Sequence, residues 1–266
     1  MAHALLYSIQ LLSITNILSM KPTLTIITLF IIFIANSFAQ DLIINLDTDK
    51  SKIEYIYINT EVGIFKISHS GKLQSVIIGD FGDNTLDIVD YFELRNKRAK
   101  LQIQETKIYV RNLINIDYID DYYGNEISKN LPISINNYKF EYYDSFYDKE
   151  ILKGKLKSID NVEIEYYTDY YLNKKIYGKI KSIGNITISY YDSYINDEII
   201  GDFDKIGNIK IKYFTNEYSK DYLNFKIKSI GHFQINYFDE TLNTDHNGEF
   251  KNYSGSDSRF TLVNDY

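Results

Sequence analysis

Four stretches of this chain superimpose on one another, and that internal repeat limits the possible fold more than any other feature. They are Gly154-Lys-Leu-Lys-Ser-Ile-Asp-Asn-Val-Glu-Ile-Glu-Tyr-Tyr167, Gly178-Lys-Ile-Lys-Ser-Ile-Gly-Asn-Ile-Thr-Ile-Ser-Tyr-Tyr191, Gly201-Asp-Phe-Asp-Lys-Ile-Gly-Asn-Ile-Lys-Ile-Lys-Tyr-Phe214 and Phe225-Lys-Ile-Lys-Ser-Ile-Gly-His-Phe-Gln-Ile-Asn-Tyr-Phe238. Their marker isoleucines, Ile159, Ile183, Ile206 and Ile230, are spaced 24, 23 and 24 residues apart. A fifth copy runs from Ile133 to Tyr143 with its marker at Ile135, and Ile114 to Ile119 reads as the second strand of a sixth.

Each unit consists of two apolar-rich runs separated by two residues: Asn136-Asn137, Asp160-Asn161, Gly184-Asn185, Gly207-Asn208 and Gly231-His232. Asn, Asp and Gly tolerate the positive φ of tight type I′ or II′ turns, so each unit is expected to be a β-hairpin. With the turn in place, Ile186, Ile188 and Tyr190 share a face with Ile183, and strict alternation adds Lys179 and Lys181 to that face. The linkers, such as Asp192 to Glu198, are polar, acidic and too short for a crossover helix. The expected fold is therefore all-β, an antiparallel meander of tandem hairpins forming an extended twisted sheet, open or barrel-like. The pairs Tyr142-Tyr143, Tyr166-Tyr167, Tyr190-Tyr191, Tyr213-Phe214 and Tyr237-Phe238 then form two ladders with steps of about 10 Å, one on each face.

Before about residue 110 the repeat is lost. Residues 40–110 remain strand-like, as in Ile53-Glu-Tyr-Ile-Tyr-Ile58, and read as an irregular N-terminal cap; residues 111–240 form the array and 241–266 a C-terminal cap or tail. At the start of the chain, Met20-Lys21-Pro22 precedes the apolar run Leu24 to Ile34, and Ser37 and Ala39 place small side chains before a cut at Gln40. This is the layout of a secretory signal, so residues 1–39 are expected to be removed, with Met20 as the native start. Export to the periplasm or cell surface follows, with no stable membrane span after cleavage.

Composition narrows the functional classes. The chain has no Cys, which excludes disulfides, thiolate metal sites and a Cys nucleophile. Its net charge is −7 and its Lys and Arg are scattered, so the clustered positive footprint of a nucleic-acid binder is missing.

The units from Tyr177 to Tyr191 resemble the repeats of uncharacterised exported proteins of the Bacteroidetes type, as does the Ser-Phe-Ala-Gln40 signal end. In period and hairpin form they are also similar to MORN repeats: Tyr177-Gly178 and Gly184 match that pattern, while Ile186-Thr187-Ile188 stands in place of its later Gly-x-Gly. The resemblance covers residues from about 110 to 240 and implies an extended sheet used as a scaffold or binding surface. It brings no catalytic residue with it.

Candidate chemistry is sparse. Asn243-Thr-Asp245-His-Asn247-Gly248 imitates the start of a calcium loop, but position 12 is Ser254 where a bidentate Glu is needed. His232 occupies a turn position that is Asn in the four other units, at Asn137, Asn161, Asn185 and Asn208. Acids such as Asp117, Asp120 and Asp121, or Asp202 and Asp204, recur in nearly every unit, which suits solvated strand edges better than one active site. No cofactor is expected. The aromatics Tyr143, Tyr167, Tyr191, Phe214 and Phe238 are the candidate binding face, since exposed rings offer platforms to a sugar or a protein partner. The resulting expectation is a non-enzymatic envelope protein whose repeat sheet is a structural or binding surface for protein or polysaccharide. One alternative is a hydrolase with a carboxylate site within 41–110, where Asp80, Asp83, Asp87 and Asp90 cluster; another is an outer-membrane barrel.

Overall fold

The computed structural model describes residues 42–79, 100–110, 113–118, 131–143, 149–170, 174–192, 197–215, 220–239 and 245–264. The expected leader, residues 1–39, lies outside them. Strands β1 (Leu42–Asp47), β2 (Lys52–Thr60), β3 (Gly63–Ser68), β4 (Leu73–Ile78), β5 (Lys100–Ile103) and β6 (Thr106–Val110) precede the repeats. The repeats supply β7 (Ile116–Tyr118), β8 (Pro132–Ile135), β9 (Tyr138–Tyr142), β10 (Leu156–Ile159), β11 (Val162–Tyr166), β12 (Ile180–Ile183), β13 (Ile186–Tyr190), β14 (Phe203–Ile206), β15 (Ile209–Tyr213), β16 (Ile227–Ile230), β17 (Phe233–Tyr237) and β18 (Phe250–Ser254). Strand β19 (Thr261–Asn264) ends the described chain.

Strands β7 to β18 form one 12-stranded antiparallel sheet in chain order. All five expected hairpins are present, with Ile135 opposite Tyr138, Ile159 opposite Val162, Ile183 opposite Ile186, Ile206 opposite Ile209 and Ile230 opposite Phe233. The positive φ falls on the first turn residue each time, from 50° at Asp160 to 55° at Gly207 and Gly231. Strand β7 pairs only with β8 and β18 only with β17, so the sheet is open. The closed outer-membrane barrel considered from sequence is not formed. Its absence has a physical reason: the aliphatic face that lipid would need is covered by a second sheet of the same chain.

A bulge recurs once per unit and corrects the strict alternation read from sequence. Between β11 and β12, Glu165 faces Ser182 but Tyr166 faces Ile180, so Lys181 is skipped. The same irregularity passes over Lys157, Asp204 and Lys228. One extra residue changes the phase of a strand, so Ile180 and Ile183, three apart, are both fully buried. Lys181 does not share the Ile183 face; it is exposed and pairs with Glu165 at 2.9 Å. From β10 to β16 the residues passed over by the bulge, Lys157, Lys181, Asp204 and Lys228, therefore put charge on the outer face.

The array also extends beyond residue 240. Gly248-Glu-Phe-Lys-Asn-Tyr253 occupies the same place as Gly178-Lys-Ile-Lys-Ser-Ile183, with Gly248 at a φ of 88° and its N–H on Phe238 O, as the N–H of Gly178 is on Tyr167 O. The linkers are less polar in effect than in composition. Leu152, Ile176 and Ile199, each two residues before the recurring Gly, are buried.

Strands β1 to β6 and β19 make the second sheet, in the order β19-β1-β2-β3-β4-β6-β5. Its inner residues, among them Ile44, Ile56, Phe65 and Ile108, join the repeat isoleucines and tyrosines in one continuous core. Burying each such side chain contributes about 2 kcal/mol, and two sheets face to face are a stable way to bury many. Where it is described, the segment expected as an irregular cap supplies β1 to β6 of this sheet, and its turns touch the array: Gly71 O accepts from Ile180 N at 2.8 Å and Ser51 O from Ile227 N at 3.3 Å. Lys52 pairs with Asp202 at 3.2 Å. At the other end of the chain, β19 returns to pair in parallel with β1.

Candidate functional site

The recurring aromatic pair is where sequence pattern, geometry and surface meet. Each hairpin is paired at only two positions next to its turn; in β12 and β13 these are Ile183 with Ile186 and Ser182 with Thr187. Beyond them the two strands part. Ile188 lies two residues past Ile186, so its peptide groups also turn toward β12, where the ladder has ended. Its carbonyl accepts the hydroxyl of Tyr167 at 2.9 Å, and the carbonyl of Ile180 across the gap accepts that of Tyr190 at 2.9 Å. The same two bonds recur along the array. Tyr143 donates to Ile164 O at 2.8 Å and Tyr191 to Ile211 O at 2.9 Å; Tyr166 donates to Leu156 O at 3.1 Å and Tyr237 to Ile227 O at 2.7 Å. Tyrosine hydroxyls thus take the place of ladder hydrogen bonds, as buried carbonyls require a donor.

The rings fill the same gaps. The second aromatic of one unit meets the first aromatic of the next edge to face: Tyr143 with Tyr166 at 5.8 Å, Tyr167 with Tyr190 at 5.8 Å, Tyr191 with Tyr213 at 5.5 Å and Phe214 with Tyr237 at 6.0 Å between centroids. Two ladders separated by the sheet were expected; the two rows instead touch, because the splayed hairpins leave openings through which the rings reach each other. The first aromatics Tyr166, Tyr190, Tyr213 and Tyr237 belong to the core, whereas Tyr142, Tyr143, Tyr167, Tyr191, Phe214 and Phe238 are half-buried. The binding-face candidates are therefore fixed wedges with one side at the surface.

Lysines finish both sides of the row. The Nζ atoms of Lys155, Lys179 and Lys226 donate to the carbonyls of Gly178, Gly201 and Gly248 in the following unit and lie over the rings of Tyr166, Tyr190 and Tyr237. Burial pulls Lys179 down to about 8. In the third unit the equivalent residue is Asp202, the partner of Lys52. On the outer side, Lys210, Lys228 and Lys251 stand 5.3 to 5.6 Å over Tyr191, Phe214 and Phe238. Burial pushes the phenol of Tyr191 up to about 12 and those of Tyr190 and Tyr213 well above their ordinary value. These phenols are neutral at physiological pH, and the donated bonds occupy the protons of Tyr190 and Tyr191, so they are poorly suited to acid–base work.

The other candidates are dispersed. Asp202 turns to Lys52, while Asp204 turns to Lys210 and Ser189 on the outer face, so the two carboxylates do not converge. Asp117 accepts from Ser134. Asp120, Asp121, Asp80, Asp83, Asp87 and Asp90 lie outside the described residues, as does Asn243 of the calcium-loop candidate. Asp245 and Asn247 sit in the linker before Gly248, whose presence is explained by the repeat: its Cβ would stand 2.8 Å from Tyr222 O. His246 pairs with Glu249 at 2.9 Å. Among the described residues no group of three His, Cys, Asp or Glu is placed to hold a metal.

Sequence reasoning found the aromatic pairs and missed what holds them. The signal was present in the recurrence of Lys155 and Lys179 directly after the repeat glycine, and of Lys226 after Phe225 in the same place, and in the apolar residue two places before that position. It also passed over Asp257, whose carboxylate accepts Arg259 Nε at 2.7 Å and the backbone N–H of His232 at 3.1 Å, clipping the C-terminal segment onto the last hairpin. Arg259 in turn reaches Asn208 O at 3.0 Å. No family model matches the chain, and no curated protein or solved structure matches it either.

Proposed function

We propose that this chain is a non-enzymatic, exported protein of the bacterial envelope type, and that its repeat sheet is a rigid surface for binding a polysaccharide or protein partner. The observation that carries the reading is the row Tyr143, Tyr167, Tyr191, Phe214 and Phe238, at the same place in successive units and half-exposed. Three of these rings have lysine ammonium groups above them. Rings immobilised by their own fold lose little entropy on binding, which favours recognition by a preformed surface. A row with one ring per unit also suits a ligand that itself repeats. The likeness to MORN-type scaffolds points the same way. Among the described residues no helix is long and apolar enough to cross a membrane.

The test uses the chain from Gln40 onward on a glycan array and in sedimentation with insoluble cell-wall polysaccharide. Binding is expected, and is expected to weaken in a Lys210→Ala, Lys228→Ala, Lys251→Ala triple variant with unchanged circular dichroism. Absence of binding to every glycan and to isolated envelope proteins would count against the reading. Terminal sequencing of protein recovered from the periplasm or medium tests export, with Gln40 expected first.

A further inference from the structure

The two sheets meet through a contact that the molecule makes in its second and fourth units and does not make at Leu156 in the first or at Phe203 in the third. At the third position of the second unit, Ile180 gives its carbonyl to Tyr190 and its N–H to Gly71 O; at the equivalent place in the fourth unit, Ile227 gives its carbonyl to Tyr237 and its N–H to Ser51 O. Both acceptors are turn residues in the left-handed region, Gly71 at a φ of 76° and Ser51 at 54°. A small left-handed residue at a turn brings its carbonyl close to a sheet that a larger residue would keep away. The splayed hairpins thus carry a slot, and a turn of this shape plugs it.

The first full unit has the same slot. Leu156 gives its carbonyl to Tyr166, as Ile180 does to Tyr190. Facing Leu156, however, is a cavity of about 420 Å³. Its walls include Lys155, Tyr166 and Tyr177 from the array, and Leu73, Ile103 and Glu105 from the second sheet. Repeat geometry turns the Leu156 N–H into this space. A slot bordered by Leu73, Ile103, Leu156 and Tyr166, with a backbone donor at its base, is what the turns at Gly71 and Ser51 fill elsewhere.

We infer that the cavity at Leu156 is a binding site for a glycine-containing β-turn of a partner protein, whose left-handed residue places its carbonyl on the Leu156 N–H. The ligand class is read from the two turns already seated in the equivalent slots. The site is separate from the aromatic row, so its failure would leave the polysaccharide reading standing, and the reverse also holds.

The test is an amide NMR titration of the chain from Gln40 onward with a cyclised peptide of the turn sequence Ser-His-Ser-Gly-Lys-Leu, copied from residues 68–73. The Leu156 amide is expected to move downfield and its exchange with solvent to slow by about tenfold at saturation. The amides of Ile180 and Ile227, already bonded, should stay in place and act as internal controls. An Ile151→Trp variant, which fills the cavity from its wall, should remain folded and lose the response. An unmoved Leu156 amide at millimolar peptide would overturn the inference, as would an equal response in the Ile151→Trp variant.

Discussion

The hydroxyl of Tyr167 donates at 2.9 Å to the carbonyl of Ile188, 21 residues further on in the next unit. This bond ties neighbouring units together where their hairpin strands have separated. Tyr167→Phe keeps the ring against Tyr190 and removes only the donor, leaving a carbonyl unpaired. A loss of about 1 kcal/mol is expected by urea denaturation, against about 3 kcal/mol for Tyr167→Ala, which also empties the gap.

Much of this arrangement was legible in the sequence, and the remainder was hidden for definite reasons. Turn chemistry at Asn136, Asp160, Gly184, Gly207 and Gly231 located the five repeat hairpins, because positive φ restricts residue type. The bulge at Lys157, Lys181, Asp204 and Lys228 was not legible, since none of these residues has a side chain that demands one. Missing the bulge put Lys181 on the wrong face. The pairing of β19 with β1 was equally hidden, because it joins residues more than two hundred positions apart. Of the candidate site, the ring positions were readable; their hydroxyl acceptors depend on where the hairpins splay, which follows from the bulge.

Gly71 and Gly207 both have positive φ, 76° and 55°, yet they differ in surroundings. A Cβ on Gly71 would stand 2.6 Å from the Tyr190 hydroxyl and 2.8 Å from Lys179 Cδ, whereas one on Gly207 would meet nothing within 4 Å. Gly71→Ala is therefore expected to cost about 3 kcal/mol and Gly207→Ala about 1 kcal/mol. Thermal denaturation of the two variants side by side checks the difference, which measures how closely the two sheets are seated.

The buried phenols make stability sensitive to alkali. Burial raises Tyr166, Tyr190, Tyr213 and Tyr237 above the ordinary value of 10.0. A group raised in the folded state stabilises it fully below the unfolded value, and that stability is lost as pH climbs past it. Unfolding free energy should fall above pH 10, with phenolate absorbance rising together with loss of sheet dichroism. Lys179 acts in the opposite sense: lowered to about 8 from 10.5, it adds stability as pH rises between those values. Lys179→Met should flatten that rise.

Asp257 governs the acid side. Hydrogen bonds from Arg259 hold its carboxyl well below the usual 3.8. The stability from this clip is present above about pH 4 and is lost as pH falls toward the depressed value. Asp257→Asn should cost about 2 kcal/mol at pH 7 and less at pH 2. Urea denaturation of both proteins at the two pH values checks it, and release of the C-terminal segment should appear first as faster amide exchange in β19.

The central claim is that the paired aromatics close each splayed hairpin by hydroxyl-to-carbonyl bonds, and the chain contains its own exception. Phe214 occupies the place of Tyr143, Tyr167 and Tyr191 but carries no hydroxyl for the carbonyl of Ile235, the counterpart of Ile164, Ile188 and Ile211. The most direct measurement compares the reciprocal exchanges Tyr167→Phe and Phe214→Tyr by urea denaturation under one set of conditions. Opposite signs are predicted, with Phe214→Tyr gaining and Tyr167→Phe losing about 1 kcal/mol. A Phe214→Tyr protein no more stable than the parent, beside an unchanged Tyr167→Phe protein, would contradict the account.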